Sequence, residues 1–110
     1  MSYRTDTKAL VLAVLADRPM HGYGISREIK RRSEEALKLG EGQLYPILHA
    51  LEEQGWIKGE WEMQDGDPPR KVYALTESGV AELAKRAKSW MSFAGAVAAV
   101  LGQKPEAVHE

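Results

Sequence analysis

Leu44, Ile47, Leu48 and Leu51 fall at i, i+3, i+4 and i+7, the spacing that lines up one apolar stripe along an α-helix. Gly40-Glu41-Gly42 leads into that stripe as a turn, and Gly55 follows it as the expected stop, since a helix commonly ends on a glycine in the left-handed conformation. The pattern predicts a helix over about 43–54. Two short extended runs come next, Trp56–Met63 and Lys71–Leu75, on either side of the polar, turn-rich segment Gln64-Asp65-Gly66-Asp67-Pro68-Pro69. That arrangement predicts a β-hairpin with a long tip.

The flanks of this unit are helical. Thr5-Asp6-Thr7 offers capping side chains ahead of an apolar run, which predicts a first helix over about 7–16, buried on most sides. Asp17-Arg18-Pro19 ends it, because the residue before proline is pushed out of the helical region. A second helix is expected over about 22–33, with Ile25 and Ile29 on one face and Arg27, Lys30 and Arg31 off it. Leu37-Lys38-Leu39 alternates and is expected to form a very short strand. Thr76 caps a long final helix reaching Leu101. The order is helix, helix, short strand, helix, hairpin, helix. It predicts a mainly α chain with a small β-hairpin: a winged helix-turn-helix domain over 1–75, a long C-terminal dimerisation helix over 76–102, and a flexible tail over 103–110.

A chain of 110 residues supports one ordinary core. With no cysteine it has neither a disulfide nor a thiolate metal site. No apolar run approaches the roughly 18 residues of a membrane span. Ala9–Ala16 lacks the basic flank and small-residue cleavage site of a secretory signal, so the cytoplasm is the expected compartment. The net charge of -1 is low for a nucleic-acid binder, but it is unevenly placed. Arg18, Arg27, Lys30, Arg31 and Arg32 face a single acid, Glu28, within one stretch, while Glu60, Glu62, Asp65 and Asp67 gather elsewhere. A run such as Lys30-Arg31-Arg32 is also what an ordinary solvated helix face looks like.

Three stretches carry a resemblance. Gly42-Gln43-Leu44-Tyr45-Pro46-Ile47-Leu48-His49-Ala50-Leu51-Glu52-Glu53-Gln54-Gly55-Trp56-Ile57 is similar to the signature of the PadR family of bacterial transcriptional regulators. Arg70-Lys71-Val72-Tyr73-Ala74-Leu75-Thr76-Glu77-Ser78-Gly79 resembles that family's wing and exit, and His21-Gly22-Tyr23-Gly24-Ile25 its second-helix opening. The resemblance runs from about Lys8 to Trp90. Val72 stands where the family often has a second aromatic, and Pro68-Pro69 stiffens the wing. The resemblance implies repression of transcription, relieved by an effector.

On that frame the third helix is the recognition helix. With the leucine stripe inward, Gln43, Pro46, His49 and Ala50 point largely outward. Gln43 lies in the first turn, where recognition helices touch base edges, and glutamine pairs bidentately with adenine. Tyr45 can hydrogen-bond a phosphate while its ring packs on helix two; a half-buried core aromatic is the plainer alternative. Pro46 is expected within the first turn, where its missing N–H costs nothing. Arg70 and Lys71 suit phosphate or minor-groove contact, although charges also protect an edge strand from aggregation. Lys8, Tyr23 and Arg27 complete the expected DNA-contacting set.

Val80, Leu83, Ala87, Trp90, Ala94, Val97 and Leu101 recur at spacings of three and four along the last helix, the seam of a two-stranded coiled coil. A homodimer is therefore expected, bound to double-stranded DNA at a near-palindromic operator. Trp90 sits mid-seam among small neighbours. Core packing is its ordinary role, but some members of the resembled family bind flat aromatic effectors near this place. An effector site of Trp90, Met91 and Ala94 for a planar aromatic molecule is the corresponding expectation.

Enzymatic readings find no support. His21, His49 and His109 are scattered without carboxylate or cysteine partners at ligand spacing. Gly22-Tyr23-Gly24 lacks the strand and later glycine of a phosphate loop, and no serine sits in a nucleophile elbow. No cofactor and no metal are expected. The alternative function is a winged-helix module for protein–protein contact without DNA.

Overall fold

The computed structural model describes residues 6–103. Its elements are α1 (Thr7–Leu15), β1 (Met20–His21), α2 (Gly22–Arg32), α3 (Glu41–Glu53), β2 (Ile57–Gln64), β3 (Asp67–Leu75) and α4 (Glu77–Leu101). From residue 104 onward the expected tail lies outside the described residues. The Asp6 carboxylate caps α1 by accepting the Ala9 N–H at 3.0 Å. One core gathers Val11, Leu12, Val14 and Leu15 of α1, Ile25 and Ile29 of α2, Leu44, Leu48 and Leu51 of α3, and Ile57 and Tyr73 of the hairpin. The stripe that most constrained the sequence thus faces the centre of the domain.

Leu37–Leu39 forms no strand. Side chains of α2 and its C-cap take the hydrogen bonds a neighbouring strand would need: the Ser26 hydroxyl donates to the Leu39 carbonyl at 2.6 Å and the Leu37 N–H donates to Ser33 Oγ at 3.0 Å. The extra strand is instead β1, whose Met20 and His21 pair antiparallel with Tyr73 and Val72. The sheet order is β1-β3-β2. A strand of two residues carries no periodic signal.

The end of α2 is unusual. The Glu34 N–H reaches the Arg31 carbonyl at 3.1 Å and the Glu35 N–H the Lys30 carbonyl at 2.8 Å, the paired bonds of a Schellman stop. Glu34 and Glu35 adopt φ of 53° and 69° there, a region that disfavours any residue with a Cβ. Glu34→Gly is therefore expected to raise stability by about 1 kcal/mol. A urea midpoint that falls in this variant, with an unchanged denaturant slope, would mean that Glu34 makes a contact worth more than its strain.

α3 starts at Glu41, so Pro46 is its sixth residue and lies beyond the first turn. The expectation of a harmless first-turn proline is thereby corrected: the bond forgone is the one to the Gly42 carbonyl. Pro46 is exposed, and water can serve that carbonyl in its place. The hairpin is longer than its sequence suggests. Gln64 pairs with Asp67 across a two-residue tip, Asp65-Gly66, with Gly66 at φ 77°. Between the pairs Glu62–Arg70 and Gln64–Asp67, β3 holds one more residue than β2. That bulge falls at Pro68-Pro69, where two residues without N–H groups forfeit no ladder bond.

Thr76 Oγ1 accepts the Gly79 N–H at 3.1 Å and begins α4, which ends on Gly102 at φ 77°. Its first three turns dock on the domain. Gly79 is buried and Leu83 packs against the molecule's own core. Leu83 therefore serves the domain rather than standing open on the expected seam. Further along, Trp90, Phe93, Val97, Val100 and Leu101 are exposed.

Candidate nucleic-acid interface

The first turn of α2 is the meeting point of three elements. Gly22 is buried, and a Cβ placed on it would lie 2.8 Å from the Tyr45 hydroxyl, so the missing side chain is what lets the α3 tyrosine lie against α2. Tyr45 remains half exposed. The exposed Tyr23 carries the Arg27 guanidinium 5.6 Å above its ring and the His21 ring 6.3 Å away. From the wing, Arg70 Nη1 comes within 3.4 Å of His21 Nε2, and Arg70 Nε lies 3.7 Å from Glu62. Four of the expected contact residues, Tyr23, Arg27, Tyr45 and Arg70, are thus brought together around one helix start.

His21 joins this cluster, although the sequence singles it out for no such role. Burial, and then the neighbouring Arg70, hold its pKa below the ordinary imidazole value against an opposing pull from Glu62. Its neutral Nε2 is then the acceptor for the Arg70 donor. No local sequence signal announces it: the pairing of His21 with Val72, two residues from Arg70, is formed only in the folded sheet.

Gln43 is exposed at the third position of α3. Its Oε1 accepts the Gly40 N–H at 3.3 Å, a capping role left to it because Gly40 has no side chain. The amide nitrogen keeps its two donors. Pro46 and His49 are also exposed on α3, with His49 Nε2 3.8 Å from Glu53.

Lys71 and Lys8 sit apart from the cluster. The Lys71 ammonium pairs with Glu52 of α3 at 3.1 Å and lies 5.5 Å from the Tyr73 ring, and its stem fills the space a Cβ on Gly59 would need. It ties the hairpin to α3, and a phosphate contact would require exchanging that partner. Lys8 lines a cavity of about 550 Å³ between the start of α1 and α4, with Asp6, Arg86, Trp90 and Phe93 among its other walls. Met91 and Ala94, expected beside Trp90 in an effector site, do not line this cavity.

The charges sort by element. On α2, Arg31 and Arg32 both donate to Glu28, whose carboxyl they pull down to about 2, and Arg32 also bonds Asp17. Arg18, Arg27 and Lys30 carry no ion pair among the described residues, and with Tyr23 they line a groove on α2. The wing tip is acidic. Glu60 and Glu62 are matched by Lys58 and Arg70, while Asp65 and Asp67 at the turn are exposed. A phosphate backbone is attracted to the α2 side and repelled by the tip.

Three helices on one core and a hairpin directly after the third, with a cationic aromatic cluster beside that helix, define a winged helix-turn-helix domain. The model of the transcriptional regulator PadR-like family matches residues 11–85, and the chain belongs to that family. It is 34% identical over 80 residues to the transcriptional regulator Rv3488 of Mycobacterium tuberculosis, covering 73% of this chain and 71% of that one. It is 30% identical over 76 residues to the negative transcriptional regulator PadR of Bacillus subtilis, covering 69% of this chain. The chain spans 42% of that PadR and 40% of the probable regulator Rv1176c of M. tuberculosis. Among solved structures, smu.1704 of Streptococcus mutans superposes with a TM-score of 0.75 at 30% identity, over 97% of this chain and 100% of the other. B. subtilis PadR in complex with operator DNA gives 0.69 at 28% identity, over 74% and 46%. Among the described residues no helix is long and apolar enough to cross a membrane, and no group of three or more His, Asp or Glu side chains could hold a metal ion.

Proposed function

We propose that this chain is a sequence-specific DNA-binding repressor acting as a homodimer through α4. Each copy lays α3 in a major groove, the two half-sites forming a near-palindromic operator. The observation that carries this is the cluster at the start of α2, Tyr23, Arg27, Tyr45 and Arg70 beside the exposed Gln43. Two hydroxyls and two guanidiniums suit phosphate oxygens, and the outward face of α3 suits base edges. The relative solved with operator DNA supports the same use of the fold. Because the wing tip is acidic, its base at Arg70 and the α2 cations make the backbone contacts.

The test is binding to operator fragments selected from genomic DNA, titrated over salt. The observed constant is expected to fall steeply as salt rises, because phosphate contacts release counterions; a flat dependence would favour a module that does not bind DNA. Gln43→Ala is expected to relax preference at one position per half-site by about 1–3 kcal/mol. Arg27→Ala is expected to weaken all sequences alike and to reduce the salt slope by about two per dimer, one for each phosphate no longer neutralised. If both variants keep the wild-type sequence preference and salt slope, these roles are wrong.

The proposal extends to relief of repression by a planar aromatic effector beside Trp90. Trp90 and Phe93 hold their rings 5.7 Å apart at 48°, next to the cavity at the start of α1, and a flat ligand there would gain stacking and desolvation. It would act as an inducer only by favouring a dimer geometry that no longer matches two half-sites, since equal affinity for both geometries shifts nothing. Titration of planar aromatic compounds against Trp fluorescence, repeated with Trp90→Ala and with operator present, decides it. Binding that survives Trp90→Ala unchanged removes Trp90 from the site.

A further inference from the structure

We infer that Arg86 is a positioning residue that fixes the angle at which α4 leaves the DNA-reading domain, and with it the half-site spacing the dimer accepts. The inference rests on the dimeric DNA-binding function proposed above. Arg86 Nη1 donates to both oxygens of Asp6, at 3.0 and 3.2 Å, and Asp6 is the residue that caps α1. Arg86 Nε donates to Glu82 at 2.7 Å. The guanidinium lies 5.3 Å from the centre of the Trp56 ring. Trp56 is itself fixed: its N–H bonds the Leu51 carbonyl at the end of α3, and its carbonyl takes the Thr76 N–H at 3.1 Å. One planar group therefore joins the start of α1, the exit of the recognition helix and α4. A guanidinium can do this because its donors form a rigid fork and its face stacks on an aromatic ring.

The position of Arg86 along the helix gives the joint its leverage. The residues of α4 that dock on the domain, Gly79, Leu83 and Arg86, precede the exposed run that begins at Trp90. Beyond Arg86, α4 makes no hydrogen bond or ion pair with another element among the described residues. From Arg86 to Leu101 the helix runs about 22 Å at its ordinary rise. A change of about 10° at the joint would move its far end by about 4 Å, close to the rise of one base pair. If α4 pairs with its symmetry mate along that exposed run, the joint in each copy sets the distance between the two recognition helices.

The experiment compares DNA carrying the selected half-sites at their natural separation with DNA in which that separation is one base pair longer or shorter. Wild-type protein is expected to bind at least about tenfold more weakly on either change. Arg86→Met should weaken by less than about threefold while keeping the dimer mass and the wild-type affinity for a single half-site. Arg86→Lys should behave like Arg86→Met, because an ammonium keeps the charge without the fork or the flat face. Trp56→Leu, which keeps an apolar side chain against the core and removes the ring facing the guanidinium, should broaden spacing tolerance in the same way. A purely structural role would lower single-site affinity and thermal stability and leave the spacing preference intact; that result overturns the inference. So does an Arg86→Met protein as strict about spacing as the wild type. If the wild-type protein selects no DNA sequence at all, the proposed function falls and this inference with it.

Discussion

Gly79→Ala is expected to lower the stability of the domain by about 3 kcal/mol or more, among the largest effects of any single methyl group in this chain. Gly79 sits in the first turn of α4 and is buried. A Cβ there would overlap the Trp56 carbonyl oxygen and stand 3.0 Å from the Trp56 carbonyl carbon and 2.9 Å from Leu75 Cδ1. The oxygen cannot withdraw, because it accepts the Thr76 N–H at the exit of β3. The neighbouring Gly55 carbonyl is likewise held, by the Thr76 hydroxyl at 2.7 Å and the Ser78 hydroxyl at 2.9 Å. Helix propensity alone would favour alanine by about 1 kcal/mol, so the sign of the result decides which effect governs. Gly42→Ala is the matched control: it lies in the first turn of α3 with nothing within 4 Å of its Cβ position, so helix propensity acts alone and the urea midpoint is expected to rise. A midpoint for Gly79→Ala at or above that of the wild type would show that α4 does not need this close approach.

Some of this architecture is legible in the sequence for simple reasons. The α3 stripe can be read because four leucines and isoleucines at helical spacing leave one way to face a core. Asp6, Thr76, Gly55 and Gly102 can be read because caps act on their own neighbours in the chain. What escapes depends on partners far along the sequence. The Glu52–Lys71 pair joins residues of α3 and β3, so nothing local reveals that Lys71 already has an acidic partner. Arg70 and His21 are 49 residues apart. The start of α3 escapes because its cap, Gly40, has no side chain to announce it, and Pro46 moves out of the first turn as a result. Pro68-Pro69 reads as loop because proline normally leaves a strand, and a bulge is the exception that admits it. At the candidate interface the residue types are legible and their assembly is not. Tyr45 meets α2 only because Gly22 is bare, a condition visible in neither residue alone.

The largest functional effect is expected from Val97→Asp combined with Leu101→Asp. Both positions lie on the exposed run of α4, with Trp90, Phe93 and Val100, so the substitutions leave the domain core untouched. Leu83→Asp would be a poor probe, because Leu83 packs on the molecule's own core and its removal would confound unfolding with dissociation. If two copies pair along this run, each aspartate faces apolar surface or its own symmetry mate, and a buried unpaired carboxylate costs several kcal/mol. The solution mass should fall from dimer to monomer. Affinity for the two-half-site operator should then drop by about 10²–10⁴, because the second half-site is no longer engaged intramolecularly. Affinity for an isolated half-site should stay as it was, since Gln43, Tyr45 and the α2 cluster are distant in sequence from the change and the exposed run of α4 takes no part in the buried core that positions them. That last measurement separates loss of dimerisation from loss of fold. A wild-type protein that is monomeric at micromolar concentration, or a double variant that remains dimeric, would place the dimer contact elsewhere or nowhere, and the exposed apolar run of α4 would need another partner.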